Sequence, residues 1–209
     1  LVVSKKAGAD TIKMVKELDA VLLGYQKDNS EYKFNVYHSE GQKVAERVDV
    51  LSSNALSGLV LVIVFLLLFL PGKIGLVASM SLPLAMMGTM GFMPIFGMNI
   101  DAITVLALLI ALGMMVDNAI VVAESIMVKM EEGTPVKQAA VEAAAELFKP
   151  LLISTLTTSA AFLAFYMAES TMGDIMGPIF VVITIALLSS WVISLSIITL
   201  FCVFFLKVK

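Results

Sequence analysis

The stretch that decides the fold is residues 102–123, AITVLALLIALGMMVDNAIVVA, in which Asp117 is the single charged residue. A run of about 20 mostly apolar residues is long enough for one α-helix to cross the hydrocarbon core of a bilayer. Four further runs of the chain meet the same condition. The sequence therefore predicts a mostly α membrane protein with five transmembrane helices. We expect these at about 50–72, 75–96, 100–126, 150–168 and 176–206.

The composition agrees with a membrane protein and argues against several other classes. Of 209 residues, 59% are hydrophobic and 15% are charged, whereas a soluble domain is nearer half apolar and a quarter charged. The net charge of −3 provides no basic surface for a nucleic acid. One cysteine and one histidine exclude a disulfide framework and a multi-histidine metal site. With no phosphate-binding loop or Ser/His/Asp set, we expect no enzyme activity, no cofactor and no metal.

Residues 1–49 differ from the rest because they carry 8 Lys and Arg and 8 Asp and Glu. Residues 1–5 and 33–37 have the pattern of strands, and 10–23 has apolar residues at helical spacing. A small β-α-β piece of this kind cannot bury much apolar surface by itself. We therefore expect it to be the C-terminal part of a larger domain, and the whole chain to be part of a longer protein.

The lysines after residue 50 predict the orientation. All six lie at 73, in 129–149 or in 207–209, which are on one side of a five-span topology, and the opposite loops have none. Because short cytoplasmic loops are enriched in Lys and Arg, the lysine side is predicted to be cytoplasmic and residues 1–49 external. Within the longest loop, residues 134–148 have one apolar face, so an amphipathic helix is expected on the cytoplasmic surface.

The strongest functional candidate is Asp117, because an acid inside a membrane helix is costly to insert and usually marks an ion or proton pathway. A buried static ion pair is the alternative explanation. Asn118 follows directly and can contribute to a proton site or hydrogen-bond a neighbouring helix. Glu124 lies two turns further on the same face, and its first interpretation is an anchor at the membrane interface.

The fourth span contains a run of hydroxyl side chains, STLTTS at 154–159. Such groups most often bond to their own helix or pack against a neighbouring one. Thr155, Thr157 and Thr158 are nevertheless candidates for a polar path that supports proton movement toward Asp117.

Several motifs together resemble resistance-nodulation-division (RND) efflux transporters of the hydrophobe and amphiphile type. Residues 113–124, GMMVDNAIVVAE, resemble the fourth transmembrane helix of that family. Residues 54–70, 82–100, 154–163 and 177–196 resemble, in order, helix two, helix three with its loop, helix five and helix six. The polar start is similar to the end of a periplasmic porter subdomain. The chain is thus identified as part of the first half of such a transporter.

The resemblance implies proton-driven multidrug export across the bacterial inner membrane. It implies a homotrimer surrounded by membrane lipid, with a periplasmic adaptor and an outer-membrane channel as partners. In the family, acids on helix four work with a lysine from the second half of the transporter. Asp117 matches the first of these acids, and Asn118 stands where drug pumps often have a second.

Three alternatives remain open at this point. A SecD-like protein-export component also uses the proton gradient and has a Val-Asp sequence in its fourth helix. A heavy-metal RND exporter is suggested by eight methionines within residues 80–115, since thioethers bind Cu(I). A sterol-sensing type of membrane sensor would show no proton dependence.

Overall fold

The computed structural model describes residues 11–28, 40–69 and 73–205. Every regular element within these ranges is helical. The helices are α1 (Thr11–Asp28), α2 (Glu40–Phe69), α3 (Lys73–Phe92), α4 (Ala102–Glu131), α5 (Val136–Met167), α6 (Thr171–Ile193) and α7 (Thr199–Phe205). A 3-10 turn, Met93–Phe96, extends α3, and a π-helical turn, Ser194–Ile198, joins α6 to α7.

Five of these helical segments are long and apolar enough to cross a membrane, which confirms the predicted number of spans. They cover Asp49–Leu68, Ile74–Phe96, Ala102–Glu131, Val136–Met167 and Thr171–Phe205. The chain is therefore a multi-pass membrane protein.

Residues Leu1–Ser53 and Asn54–Lys209 form two separate compact units. In the first unit, α1 occupies the region where a helix was predicted. The strands predicted at 1–5 and 33–37 lie outside the described residues, which contain no strand. The β-α-β arrangement is therefore not supported by the structure.

The predicted surface helix at 134–148 and the span at 150–168 are one continuous helix, α5, with Pro150 in its interior. Proline lacks an N–H and crowds the carbonyl four residues before it, so Pro150 weakens the helix at this point. Alanine-rich sequence before Pro150 favours helix, and α5 packs along both α4 and α6. This packing keeps the two segments in one helix.

The core of the second unit is built around α4, which packs against α3, α5 and α6. Small side chains on α4 let the neighbouring helices approach closely. Those that are fully buried are Ala107, Ala111, Ala119 and Ala123. By contrast, only 6% of the apolar part of α2 is buried, although Leu59, Val62 and Ile63 are half-buried against the core.

Candidate functional site

The start of α4 is fixed by Asp101, which caps the helix. Its Oδ1 accepts hydrogen bonds from the backbone N–H groups of Ile103 and Thr104, at 2.9 and 2.8 Å. The Asp101 N–H donates in return to Thr104 Oγ1 at 2.7 Å. This reciprocal capping box sets the register of the helix that carries the candidate acid. An acidic residue directly before an apolar run was the sequence signal for it.

One narrow stripe of α4 is exposed, whereas the remainder of the helix is buried or half-buried. The stripe repeats every three or four residues, as one face of a helix must. Its members are Leu106, Ile110, Gly113, Asp117, Val121, Glu124, Val128 and, at the end of the helix, Glu131. Asp117 and Glu124 therefore share a face, as the sequence predicted, and this face points away from α3, α5 and α6.

Asn118 lies on the buried side of α4, where its side chain is 8% exposed. Successive residues of a helix point about 100° apart. The two members of the predicted relay therefore face different surroundings, since Asp117 is exposed and Asn118 is buried. The structure does not bring both side chains to one site within this chain.

A hydrogen bond between helices lies close to Asp117 and was not predicted. Ser190 Oγ of α6 donates to the carbonyl oxygen of Met115 at 2.9 Å, and both residues are almost completely buried. This bond ties α6 to α4 two residues before the acid. A serine pair within an apolar span, at 189 and 190, was the available signal.

One helical turn further along, the π-helical turn begins at Ser194, whose side chain is completely buried. Its Oγ has no hydrogen-bond partner in the described part of the chain. A π-helical turn interrupts the regular backbone ladder and is often found near functional positions. The end of α6 and the π-helical turn thus place two serine hydroxyls in the core: Ser190, which is hydrogen-bonded, and Ser194, which has no partner among the described residues.

The hydroxyl run of α5 is distributed around the helix. Thr155 is 3% exposed and its Oγ1 is without a partner among the described residues. Thr157 is exposed and donates to the Ile153 carbonyl of its own helix at 2.8 Å, and Thr158 is half-buried. Within residues 11–28, 40–69 and 73–205, no hydrogen bond joins these threonines to Asp117.

At the opposite end of α4 from its cap, Lys129 connects α4 to α5. Its Nζ lies 2.9 Å from Glu146 Oε1 and 3.7 Å from Glu142 Oε2. Both acids belong to the half of α5 that precedes Pro150. The network holds the end of α4 to this charged half of α5.

No group of three His, Cys, Asp or Glu side chains lies close enough to hold a metal ion in the part of the chain that the structure describes.

Comparison with known proteins gives matches along the whole chain. The sequence profile of the AcrB/AcrD/AcrF family matches residues 1–209. The swarming motility protein SwrC of Bacillus subtilis (strain 168) is 29% identical over 198 residues, which are 93% of this chain and 19% of that protein. The multidrug resistance protein MdtC of Yersinia pestis bv. Antiqua (strain Angola) is 26% identical over 209 residues, 99% of this chain and 20% of that protein. The chain thus spans about a fifth of the length of these relatives.

Proposed function

Since the chain belongs to the AcrB/AcrD/AcrF family of RND transporters, we propose that it is part of a proton-driven exporter of amphiphilic compounds. In this proposal, residues 50–209 are the first-half membrane domain. Residues 1–49 are the end of a porter subdomain with a β-α-β arrangement. The family match favours export over the SecD-like and sterol-sensing alternatives.

The observation that carries the proposal is the position of Asp117 on the exposed stripe of α4. An acid in the middle of a membrane span normally faces a partner or a cavity and not lipid. The other four apolar segments of this chain do not cover the stripe. We infer that another part of the transporter covers the stripe and supplies a basic group to Asp117.

Protonation is the event that couples this site to transport. The ionised carboxylate of Asp117 attracts a basic partner, whereas the neutral carboxyl group does not, so proton binding changes which arrangement is favoured. Because Ser190 and Lys129 tie α4 to α6 and α5, a shift of α4 carries its neighbours with it. We propose that this movement drives the substrate-carrying domains of the complete protein.

The setting of the transporter is part of the same proposal. We place it in the bacterial inner membrane, with Lys73, Lys137 and Lys207 on the cytoplasmic side because of the positive-inside rule. The complete protein would be a homotrimer that works with a periplasmic adaptor and an outer-membrane channel. The name of the MdtC relatives, multidrug resistance protein, supports organic compounds as the substrate class.

The test is proton-driven export by the complete protein in vesicles with an imposed pH gradient. Asp117→Asn is nearly isosteric but cannot titrate, so it should abolish export while expression and trimer assembly stay normal. Asn118→Ala should impair export less, because an amide offers only hydrogen bonds. Glu124→Gln should be mild, because an interfacial carboxylate is hydrated. Full export by the Asp117→Asn protein would contradict the proton-relay role.

A further inference from the structure

A groove of about 500 Å³ runs along the surface where α5 lies beside the end of α6 and the π-helical turn. Its lining is mostly apolar. Ala144 and Ala145 line it from α5, and Val192 and Leu195 line it from α6 and the π-helical turn. The volume falls in the range of about 300–1,000 Å³ that is typical of sites for small organic ligands. None of the residues that line the groove belongs to α4, and no step of the proposed transport mechanism uses the groove.

The tryptophan at position 191, the single one in the chain, forms one side of this groove. Its ring packs edge-on against Phe148 with ring centres 4.8 Å apart, and its Nε1–H donates to the Phe148 carbonyl at 3.3 Å. The indole is therefore held in place with its polar atom satisfied. Tryptophan in this form, with an apolar body and a bonded N–H, is enriched where a membrane meets water.

Lys149 lies at the rim of the groove and is exposed. The two acids that precede it on α5, Glu142 and Glu146, both face Lys129 of α4. Within the described residues, Lys149 itself has no carboxylate at ion-pair distance. Its ammonium group is therefore available to an anion from outside the chain.

Lys149 marks the edge of the apolar layer on this side of the groove, because it is the last charged residue before the uncharged run 150–168. On the facing wall, Trp191 and Leu195 belong to a longer uncharged run, from Ile175 to 206, which exceeds the about 20 residues that one crossing needs. Contact of Trp191 with Phe148 places this part of the longer run at the same boundary as Lys149. A lysine beside an apolar layer is stabilised by an anion at the level of the lipid headgroups.

We propose that this groove is a binding site for one anionic phospholipid. The lipid phosphate binds the Lys149 ammonium group, and an acyl chain lies against the apolar floor beside Trp191. A phospholipid is the ligand class that supplies a negative group and a long apolar chain together at this boundary. A free inorganic anion would leave the apolar floor unused, and a neutral lipid would leave Lys149 without a counter-charge.

The test uses Trp191 as the reporter, in the complete protein with its other tryptophans replaced by phenylalanine. The protein is reconstituted in vesicles in which either phosphatidylglycerol or phosphatidylcholine carries bromine on its acyl chains, because bromine quenches indole fluorescence on contact. The ratio of the two binding constants at this site is the measured quantity. The variants are Lys149→Gln, Lys149→Arg and, as a matched control on the same helix outside the groove, Lys137→Gln.

The wild-type protein and the Lys137→Gln control should bind the brominated phosphatidylglycerol about fivefold more tightly than phosphatidylcholine, the increment expected for one lysine near an anionic headgroup. Lys149→Gln should bring the ratio to about one, and Lys149→Arg should keep it near the wild-type value. Ala145→Phe, which adds bulk to the groove without adding a second indole, should reduce quenching of Trp191 by both lipids. Equal quenching by the two lipids in the wild-type protein would overturn the proposal. So would a Lys149→Gln ratio unchanged from wild type, or no quenching by either lipid, which would mean that protein covers the groove.

Discussion

The turn between α5 and α6 depends on a glycine whose missing side chain can be tested directly. A Cβ atom added at Gly173 would lie 1.8 Å from the carbonyl oxygen of Ala168 and 2.8 Å from its carbonyl carbon. That carbonyl already accepts a hydrogen bond from the Ser170 N–H at 2.9 Å. The backbone of the turn therefore has to move before Gly173→Ala can be accommodated.

The cost follows from these distances. Non-bonded atoms settle at about 3.5 Å, so the two atoms must separate by about 1.7 Å. Overpacking of this kind costs about 1–3 kcal/mol. The movement also breaks the helix cap, in which the Gly173 N–H donates to Ser170 Oγ at 3.2 Å. Loss of such a cap costs about 1 kcal/mol. Alanine returns about 1 kcal/mol of helix propensity. With the upper value for overpacking, Gly173→Ala lowers the free energy of unfolding by about 3 kcal/mol.

Gly177 provides the matched control, because it is also buried and lies one turn further along α6. A Cβ added there would be 3.8 Å from the nearest atom, Tyr166 Cδ2, which is ordinary contact. Gly177→Ala should therefore leave stability unchanged or raise it by up to about 1 kcal/mol. The sequence spacing of these two glycines resembles a helix-dimer motif, but Gly173 serves the turn within the chain.

The measurement is the midpoint of thermal unfolding in detergent, followed by size-exclusion chromatography of the heated protein. For a unit of this size, 3 kcal/mol corresponds to a decrease of about 6–12 °C for Gly173→Ala. A Gly173→Ala protein that melts with the wild type would refute the steric argument. If Gly177→Ala lowers the melting midpoint as much as Gly173→Ala does, the whole segment is sensitive to substitution, and the contact with Ala168 is not the cause.

Two other contacts can be tested by the same measurement. Ser190→Ala should destabilise the protein by about 1 kcal/mol because it removes a buried hydrogen bond to the Met115 carbonyl. Ser196→Ala should have little effect, because the Ser196 hydroxyl bonds to the Val192 carbonyl one turn before it. Equal losses of stability in the two variants would contradict a special role for Ser190. Lys129→Ala should lower the melting midpoint slightly by leaving Glu146 unpaired, and the difference from wild type should vanish at 1 M salt. A difference that persists at high salt would mean that packing of the lysine stem is what matters.

The five spans were predictable because the membrane imposes a simple rule. An uncharged, apolar run of about 20 residues is stable in a membrane as an α-helix, because its backbone groups must bond to one another there. The gaps between charged residues therefore located the apolar segments. The exposed face shared by Asp117 and Glu124 was also predictable, since seven residues are close to two helical turns. Both successes rest on geometry that is local to one helix.

Properties that depend on neighbouring helices were not predictable in the same way. The segments 134–148 and 150–168 were expected as a surface helix and a span, and they form the single helix α5, which packs along α4 and α6. The sequence does not show which hydroxyls of the run 154–159 are buried, whereas the structure has Thr155 buried and Thr157 exposed because they lie on different faces of the helix. The bond from Ser190 to Met115 joins residues 75 positions apart, and no local pattern predicts such a pairing.

The packing of α4 bears on how a change of charge at Asp117 would act under the proposed mechanism. The helix is buried against three neighbours, and closely packed small residues leave little room for local adjustment. One end is fixed by the Asp101 capping box, and the other is tied to α5 through Lys129. Under the proposed mechanism, a change of charge at Asp117 would therefore move α4 as a unit, and the bond from Ser190 to Met115 would carry α6 with it. An exposed acid on a helix held in this way is suited to converting a change of charge into a displacement of helices.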